Sequence, residues 1–316
     1  MKIFTRKKTI LAAIEATYGV DAVPTGALNA IQTSQFSMQP LQGDALKPNL
    51  DKATFGADLS DLVGKNVVLT FNVPLAGSGV AGTAPAWGPL LKACGHSETL
   101  QAADPGNNVE AAAIYTPIDE NVDSATFYFR QDRTLHKVTG VRGAVQLQTQ
   151  KRDYAWLQFT FTGLFNPPVD SAADLGAVYT AWKKPVPFRA ATVDCTLFGQ
   201  LVGLHTLKLN FGQQVQFYEH SEEESVQITD RQADFDATFE ETDLATHDYF
   251  ADINNGTSGE LVYTHGITAG NIVEIKGTNS QGLTVARSDQ NGVSALQVTG
   301  PLAAVAPDPD YTITAK

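Results

Sequence analysis

Histidine and cysteine are the side chains of this sequence with the clearest potential for catalysis or metal binding. No two histidines have the spacing of a helical zinc site, and no His-Glu-x-x-His motif occurs. His220 and Glu222 could form a metal pair on one strand face, but a solvated hairpin is the favoured interpretation. Cys94 and Cys195 each lie among apolar neighbours, which indicates buried thiols rather than a disulfide. The histidines are His96, His136, His205, His220, His247 and His265.

Two other segments resemble binding loops only in part. Residues 77–82 have the glycine spacing of a dinucleotide loop, but Pro85 and Pro89 interrupt the helix that such a loop requires. Residues 252–256 resemble the start of a calcium loop but lack its later ligands. The sequence has neither a Gly-Lys-Ser/Thr phosphate loop nor a Gly-x-Ser-x-Gly nucleophile elbow. We therefore predict no enzyme, no metal and no cofactor.

An acidic strand is the remaining candidate site. Residues 234–240 alternate, so that Phe235, Ala237 and Phe239 share one face. The other face of the segment carries Asp234, Asp236, Thr238 and Glu240. Such a face is either an ordinary solvent face or the lining of a water-filled passage. A second acidic run lies at the tip of a predicted long hairpin and consists of Glu222, Glu223 and Glu224.

Composition limits the classes of partner. The chain has 316 residues, 22 basic against 34 acidic side chains and a formal charge of -12. This balance argues against a protein that grips nucleic acid by its phosphates, but not against one past which nucleic acid slides. No apolar stretch has the length of a membrane span, and we expect no membrane contact and no targeting signal.

Most of the secondary structure is predicted to be strand, because apolar residues recur with a period of two. The segment Thr126–Gly163 contains several such strands, and a shorter version of it returns near the C-terminus. A short helix precedes each version, at Trp87–Gly95 and at His247–Gly256. We interpret this order as an internal repeat.

The fold prediction is therefore a mainly β protein with two tandem antiparallel β-sandwich or barrel domains of similar topology, each with a short flanking helix. The first domain covers residues 1–165, a linker covers 166–187, and the second domain covers 188–316. The first domain includes an N-terminal arm that either lies on another subunit or is a loose tail. Within the arm, Lys8–Tyr18 is predicted as a short helix. A long irregular segment is predicted at Pro40–Lys65.

Several segments resemble the major tail protein of long, flexible-tailed bacteriophages, the tail tube protein family. The central segments are Lys137–Gly143 and Leu157–Gly163, which read like the central strands of that family. The N-terminal segment Glu15–Pro24 and the second-half segments Leu207–Gly212 and Ile228–Arg231 are similar in style. The resemblance as a whole covers most of the chain, and it rests on style and order rather than on a strict signature.

The resemblance implies a structural virion protein. Such proteins fold as small β-sandwiches and stack in rings of six domains around a lumen, through which double-stranded DNA leaves the capsid. A duplicated domain implies three chains in a pseudo-hexameric ring, whereas a single domain implies six. The implied partners are further copies of the chain and the tape measure, tail terminator and baseplate proteins, with assembly in the bacterial cytoplasm. DNA passes without specific binding.

An acidic or neutral lumen follows from this function, because a basic wall would hold DNA by its phosphates. We expect the lumen or its rim to carry Asp234, Asp236, Glu240, Glu222, Glu223 and Glu224. Contacts between stacked rings are expected from the Pro40–Lys65 loop, the 213–231 hairpin and the N-terminal arm. The alternatives are another tail or baseplate protein, a two-domain adhesive or carbohydrate-binding β protein, and a β-rich enzyme with an unrecognised site. Adhesins usually carry a secretion signal, which we do not find.

Overall fold

The computed structural model describes residues 4–171, 173–306 and 308–316, so the first three residues of the predicted N-terminal arm lie outside it. Within these ranges, the part up to residue 165 (the first half) has the short helices α1 (Gly26–Asn29) and α2 (Gly88–Lys92) and a 3-10 helix at Pro105–Asn107. Its strands are β1 (Lys8–Ile14), β2 (Ser34–Leu46), β3 (Asp61–Pro74), β4 (His96–Gln101), β5 (Ala112–Pro117), β6 (Ala125–Gln131), β7 (Thr134–Gln150) and β8 (Trp156–Leu164).

The predicted linker contains the short strand β9 (Val169–Asp170), and the part from residue 188 onward (the second half) has one helix, α3 (Tyr249–Asn255), within its described residues. The strands of the second half are β10 (Val193–Leu197), β11 (Gln200–Leu201), β12 (Leu204–Asn210), β13 (Gln213–Glu219), β14 (Glu224–Arg231), β15 (Asp234–Glu240), β16 (Ser258–His265), β17 (Val273–Gln281), β18 (Thr284–Asp289), β19 (Ser294–Ala303) and β20 (Thr312–Ala315). The prediction of a mainly antiparallel β protein is confirmed, and α2 and α3 lie within the two predicted helical segments.

One sheet runs through both halves, in the order β2-β3-β8-β7-β12-β15-β19-β18. The halves meet where β7 pairs with β12, with Leu147 opposite Leu209. Each half supplies four strands, β2-β3-β8-β7 from the first half and β12-β15-β19-β18 from the second. In both halves the third and fourth strands along the chain are exchanged in the sheet. The outer strands of this shared sheet are β2 at one edge and β18 at the other.

The opposite layer does not repeat in this way. In the first half, β6 pairs with β1 and with the N-terminal part of β7, which also pairs with β9. In the second half, the order is β11-β10-β16-β17-β20, and β20 then pairs with β5 of the first half. The last strand of the chain therefore ties the two halves together, and one core cluster includes buried side chains from both.

Strand β7 serves both layers because it changes direction at a bulge. Its register shifts between Thr139 and Arg142, and Gly140 has a φ of 60°, which favours glycine. A Cβ on Gly143 would lie only 2.3 Å from the ring of Phe161, so glycine is required for the close approach of β8. The rings of Phe127 and Phe161 are 4.9 Å apart, and each fully buried Phe contributes about 1.5–3 kcal/mol to stability.

Two local predictions are wrong. Residues 8–14 form strand β1, not a helix, and pair with β6 of the same chain, so this part of the arm belongs to the first half itself. Ile10, Leu11 and Ala12 are all buried, so both faces of the strand are covered and no alternation marks it in the sequence. The segment predicted as irregular is also shorter, because β2 continues to Leu46 and β3 begins at Asp61.

A buried carboxylate fixes the chain after β1. Oε1 of Glu15 accepts hydrogen bonds from Oγ1 of Thr126 and the backbone N–H of Gly140, each at 2.8 Å. Its Oε2 accepts from the backbone N–H of Gly19 at 2.8 Å and from Oγ of Ser124 at 2.6 Å. Four donors therefore surround the carboxylate, which satisfies its oxygens and holds the β7 bulge in place.

Replacement of Glu15 by Gln is expected to lower the free energy of unfolding by about 2–4 kcal/mol, because an amide group would turn its N–H donors toward donors already present. Urea denaturation followed by fluorescence measures the change. Glu110→Gln is the matched control, since Glu110 is exposed. A loss for Glu15→Gln no larger than that of the control would contradict the structural role.

Candidate functional site

The side of the shared sheet that faces away from the core is polar, and we name it the polar face. Its first-half part presents mainly amide and hydroxyl side chains that are half-buried or exposed. Arg142 follows the same alternation on β7, but its guanidinium binds the β13–β14 hairpin. Nε2 of Gln148 donates to Oε1 of Gln158 at 3.0 Å, and Gln146 contacts the same oxygen. The amide and hydroxyl side chains of this part are Thr70, Gln146, Gln148, Gln158, Thr160 and Thr162.

The second-half part of the polar face is acidic. Asp234, Asp236 and Glu240 lie on β15, and the opposite face of that strand is buried through Phe235, Ala237 and Phe239. Successive side chains on one strand face are about 7 Å apart, so the carboxylates repel each other only moderately in water. Nδ2 of Asn210 donates to Asp234 at 3.0 Å, and Nε2 of Gln297 donates to Asp236 at 2.8 Å.

The second acidic run lies elsewhere. Glu222, Glu223 and Glu224 are exposed at the turn between β13 and β14, and they do not share the polar face with the β15 carboxylates. The prediction of a long hairpin with a charged tip is confirmed. The structure thus brings together three of the six candidate residues and separates the other three.

The hairpin β13–β14 lies across one end of the first half. The guanidinium of Arg142 donates to the carbonyl oxygen of Val226 at 2.8 Å and stacks over the ring of Tyr18 at 5.0 Å. The backbone N–H of Val226 donates to the hydroxyl of Tyr18 at 2.6 Å. These contacts fix the hairpin and leave its acidic tip exposed.

His96 and both cysteines are buried in the core. Burial lowers the pKa of His96 to about 4, and its ring nitrogens lie 2.9 Å from the carbonyl oxygen of Leu91 and from the hydroxyl of Tyr311. Burial raises the pKa of Cys195 to about 12 and raises that of Cys94 as well, so both thiols stay protonated at neutral pH.

The partial motifs have structural explanations. Oδ2 of Asp252 is 2.7 Å from Nε2 of His247, and the segment that resembles a calcium loop is the end of α3. Gly256 caps this helix with a φ of 65°. Among the described residues, no group of three His, Cys, Asp or Glu side chains could hold a metal ion. None of the described helices is long and apolar enough to cross a membrane.

A basic cleft is a feature that the sequence did not reveal. It has a volume of about 560 Å³ and is lined by Lys151, Arg152 and Arg189, with two acidic side chains, Asp194 and Glu240. Lys151 and Arg152 follow β7, whereas Arg189 follows the linker, so only the fold brings them together. No local pattern would have indicated this cleft, because its cations are far apart in the chain.

The structure is that of a mainly antiparallel β protein with a long polar sheet face and two outer edge strands. The model of the phage tail tube protein family matches residues 5–314. The chain therefore belongs to the phage tail tube protein family, and it is a structural component of the phage tail and a part of the virion. No curated protein matches the chain.

Proposed function

We propose that three copies of this chain close into a ring, that the rings stack into the tail tube, and that double-stranded DNA leaves through its lumen. The observation that carries the proposal is the order of the shared sheet. Within one chain, β7 of the first half pairs with β12 of the second half. Strands β18 and β2 occupy the corresponding places at the two outer edges of the sheet.

A pairing of β18 with β2 of the next copy repeats the β7–β12 junction between chains. Such an interface is head-to-tail, because two different edges meet, and it closes into a ring when the rotation between copies suits. It also covers strand edges that would otherwise be open to uncontrolled pairing. With residues 1–165 and 188–316 as two tandem domains, three chains supply six domains and pseudo-sixfold symmetry.

In this ring the polar face of the sheet lines the lumen. This face carries amides and hydroxyls in the first half and the carboxylates of Asp234, Asp236 and Glu240 in the second half. It therefore presents too few cations to bind the phosphates of DNA tightly. Lys208 is the basic residue of β12 on this face and lies opposite Asp236 in the β12–β15 register. DNA carries about one negative charge per 1.7 Å of its axis, and a neutral to acidic wall keeps it moving.

The segments that project from the sheet are proposed to connect the rings. They are the loop between β2 and β3, whose Phe55 and Leu59 side chains are almost fully exposed, and the β13–β14 hairpin. Exposed apolar side chains of this size favour burial against a partner. The tape measure protein would occupy the lumen, and the terminator and baseplate proteins would cap the ends, with assembly in the bacterial cytoplasm.

Electron microscopy of the purified protein, with native mass measurement, tests this function. We expect rings or tubes with a central hole and a ring mass three times the monomer mass of 33.8 kDa. A ring of six chains would contradict the tandem-domain part of the proposal. Monomers that bind a carbohydrate would favour the adhesive alternative, and rings that never stack would favour a terminator or baseplate protein.

A further inference from the structure

We infer that stacked rings are joined by an ionic contact between the acidic tip of the β13–β14 hairpin and the basic cleft of a second copy in the next ring. The acidic tip comprises Glu219, Glu222, Glu223 and Glu224. The basic cleft is the one lined by Lys151, Arg152 and Arg189. The inference rests on the stacking of rings proposed above and identifies which surfaces meet.

The tip and the cleft belong to opposite ends of the same strands. The hairpin contacts Arg142, near the point where β7 begins to pair with β8 in the shared sheet. Lys151 directly follows the other end of β7. At about 3.3 Å per residue, these ends are separated by roughly 30 Å. Strand β12 is antiparallel to β7 and connects the same two ends in the reverse direction, since it begins beside the cleft near His205 and leads into the hairpin after Asn210.

The acidic tip has no ion-pair partner among the residues that the structure describes. Its four carboxylates lie within six residues and all are exposed. None of them forms a salt bridge with another described residue. Like charges this close repel each other, so an opposite charge supplied by another molecule stabilises the tip.

The basic cleft has cations available for such a contact. Neither Arg152 nor Arg189 takes part in an ion pair within the described residues, and Nζ of Lys151 forms hydrogen bonds with His205 and Gln290. Asp194 and Glu240 also line the cleft, so its net charge is positive by one. Leu201, which is 70% exposed, adds an apolar wall that a bound hairpin would cover.

A second copy of this chain is the partner that fits, because identical rings that stack head-to-tail must have complementary ends. One end presents the acidic tip and the other the basic cleft, and opposite charges at an interface set both orientation and specificity. The same contact then repeats along the whole tube, which fixes the direction in which the rings stack.

Charge reversal on both sides tests the contact with full-length protein. For Glu222→Lys with Glu223→Lys, we expect rings of unchanged mass but a rise of about tenfold or more in the protein concentration needed for tubes, because like charges now meet. The pair Arg152→Glu with Arg189→Glu should have the same effect. A chain with all four changes should recover much of the assembly, since the pairs are restored with reversed sign.

The control is Glu110→Lys with Glu120→Lys, which changes the charge equally at two other exposed sites. Tubes at the wild-type concentration from either reversed pair, or no recovery in the chain with all four changes, would overturn the contact. Absence of rings in the wild-type protein would instead refute the proposed function. Sedimentation and electron microscopy of the same samples distinguish these outcomes.

Discussion

Val285→Pro is expected to leave the chain folded but to abolish ring formation. The carbonyl oxygen of Ser294 accepts from the N–H of Glu241 on the β15 side, and Ser294 lies opposite Asp289 of β18. Asp289, and by alternation Val285, therefore directs its N–H away from β19 toward the outer edge. Proline at position 285 removes a donor that the proposed β18–β2 pairing uses while it leaves the β18–β19 ladder intact.

The measurement is native mass and electron microscopy, with circular dichroism to confirm folding. Val285→Ala is the matched control, because it loses the same packing but keeps the N–H donor. We expect the alanine variant to form rings and the proline variant to stay monomeric. Rings of wild-type mass from folded Val285→Pro protein would show that β18 is not the strand that joins copies.

The second large effect is expected from reversal of the lumen charge. The variant with Lys in place of Asp234, Asp236 and Glu240 should assemble, because these side chains are at least partly exposed and lie away from the proposed ring edges. Glu240 also lines the basic cleft, and a lysine there adds positive charge to a surface that is proposed to receive the acidic tip. Its tubes should hold double-stranded DNA, with an affinity on the order of 10³-fold or more above wild type that falls steeply as salt is raised. Phage that carry it should eject DNA slowly.

The matched control replaces the same three residues by Asn, Asn and Gln. This neutral lumen resembles the first-half part of the polar face, and we expect it to bind no DNA. Cosedimentation of short duplex DNA with assembled tubes at several salt concentrations measures the effect. If tubes of the lysine variant bind no DNA and phage that carry it eject DNA at the normal rate, β15 does not line the lumen.

The acidic strand β15 shows what local sequence patterns can predict. The alternation in residues 234–240 predicted both the strand and the separation of Phe235 from Asp236, and the structure has both. The same rule failed at β1, where Ile10 and Leu11 are both buried because layers cover each face of the strand. Alternation is informative only where one face of a strand meets water.

The features that could be predicted from the sequence alone are therefore local: the strands with one solvent-exposed face, the hairpin with a charged tip, the helix that ends at Gly256, and the acid-rich composition. Only the folded chain shows which strands are neighbours, and with that the outer strands β2 and β18 and the cleft that brings Arg152 and Arg189 together. These pairings link residues far apart in the chain through backbone hydrogen bonds that are alike for every residue type. Their choice depends on how the whole core packs, and no short segment records it.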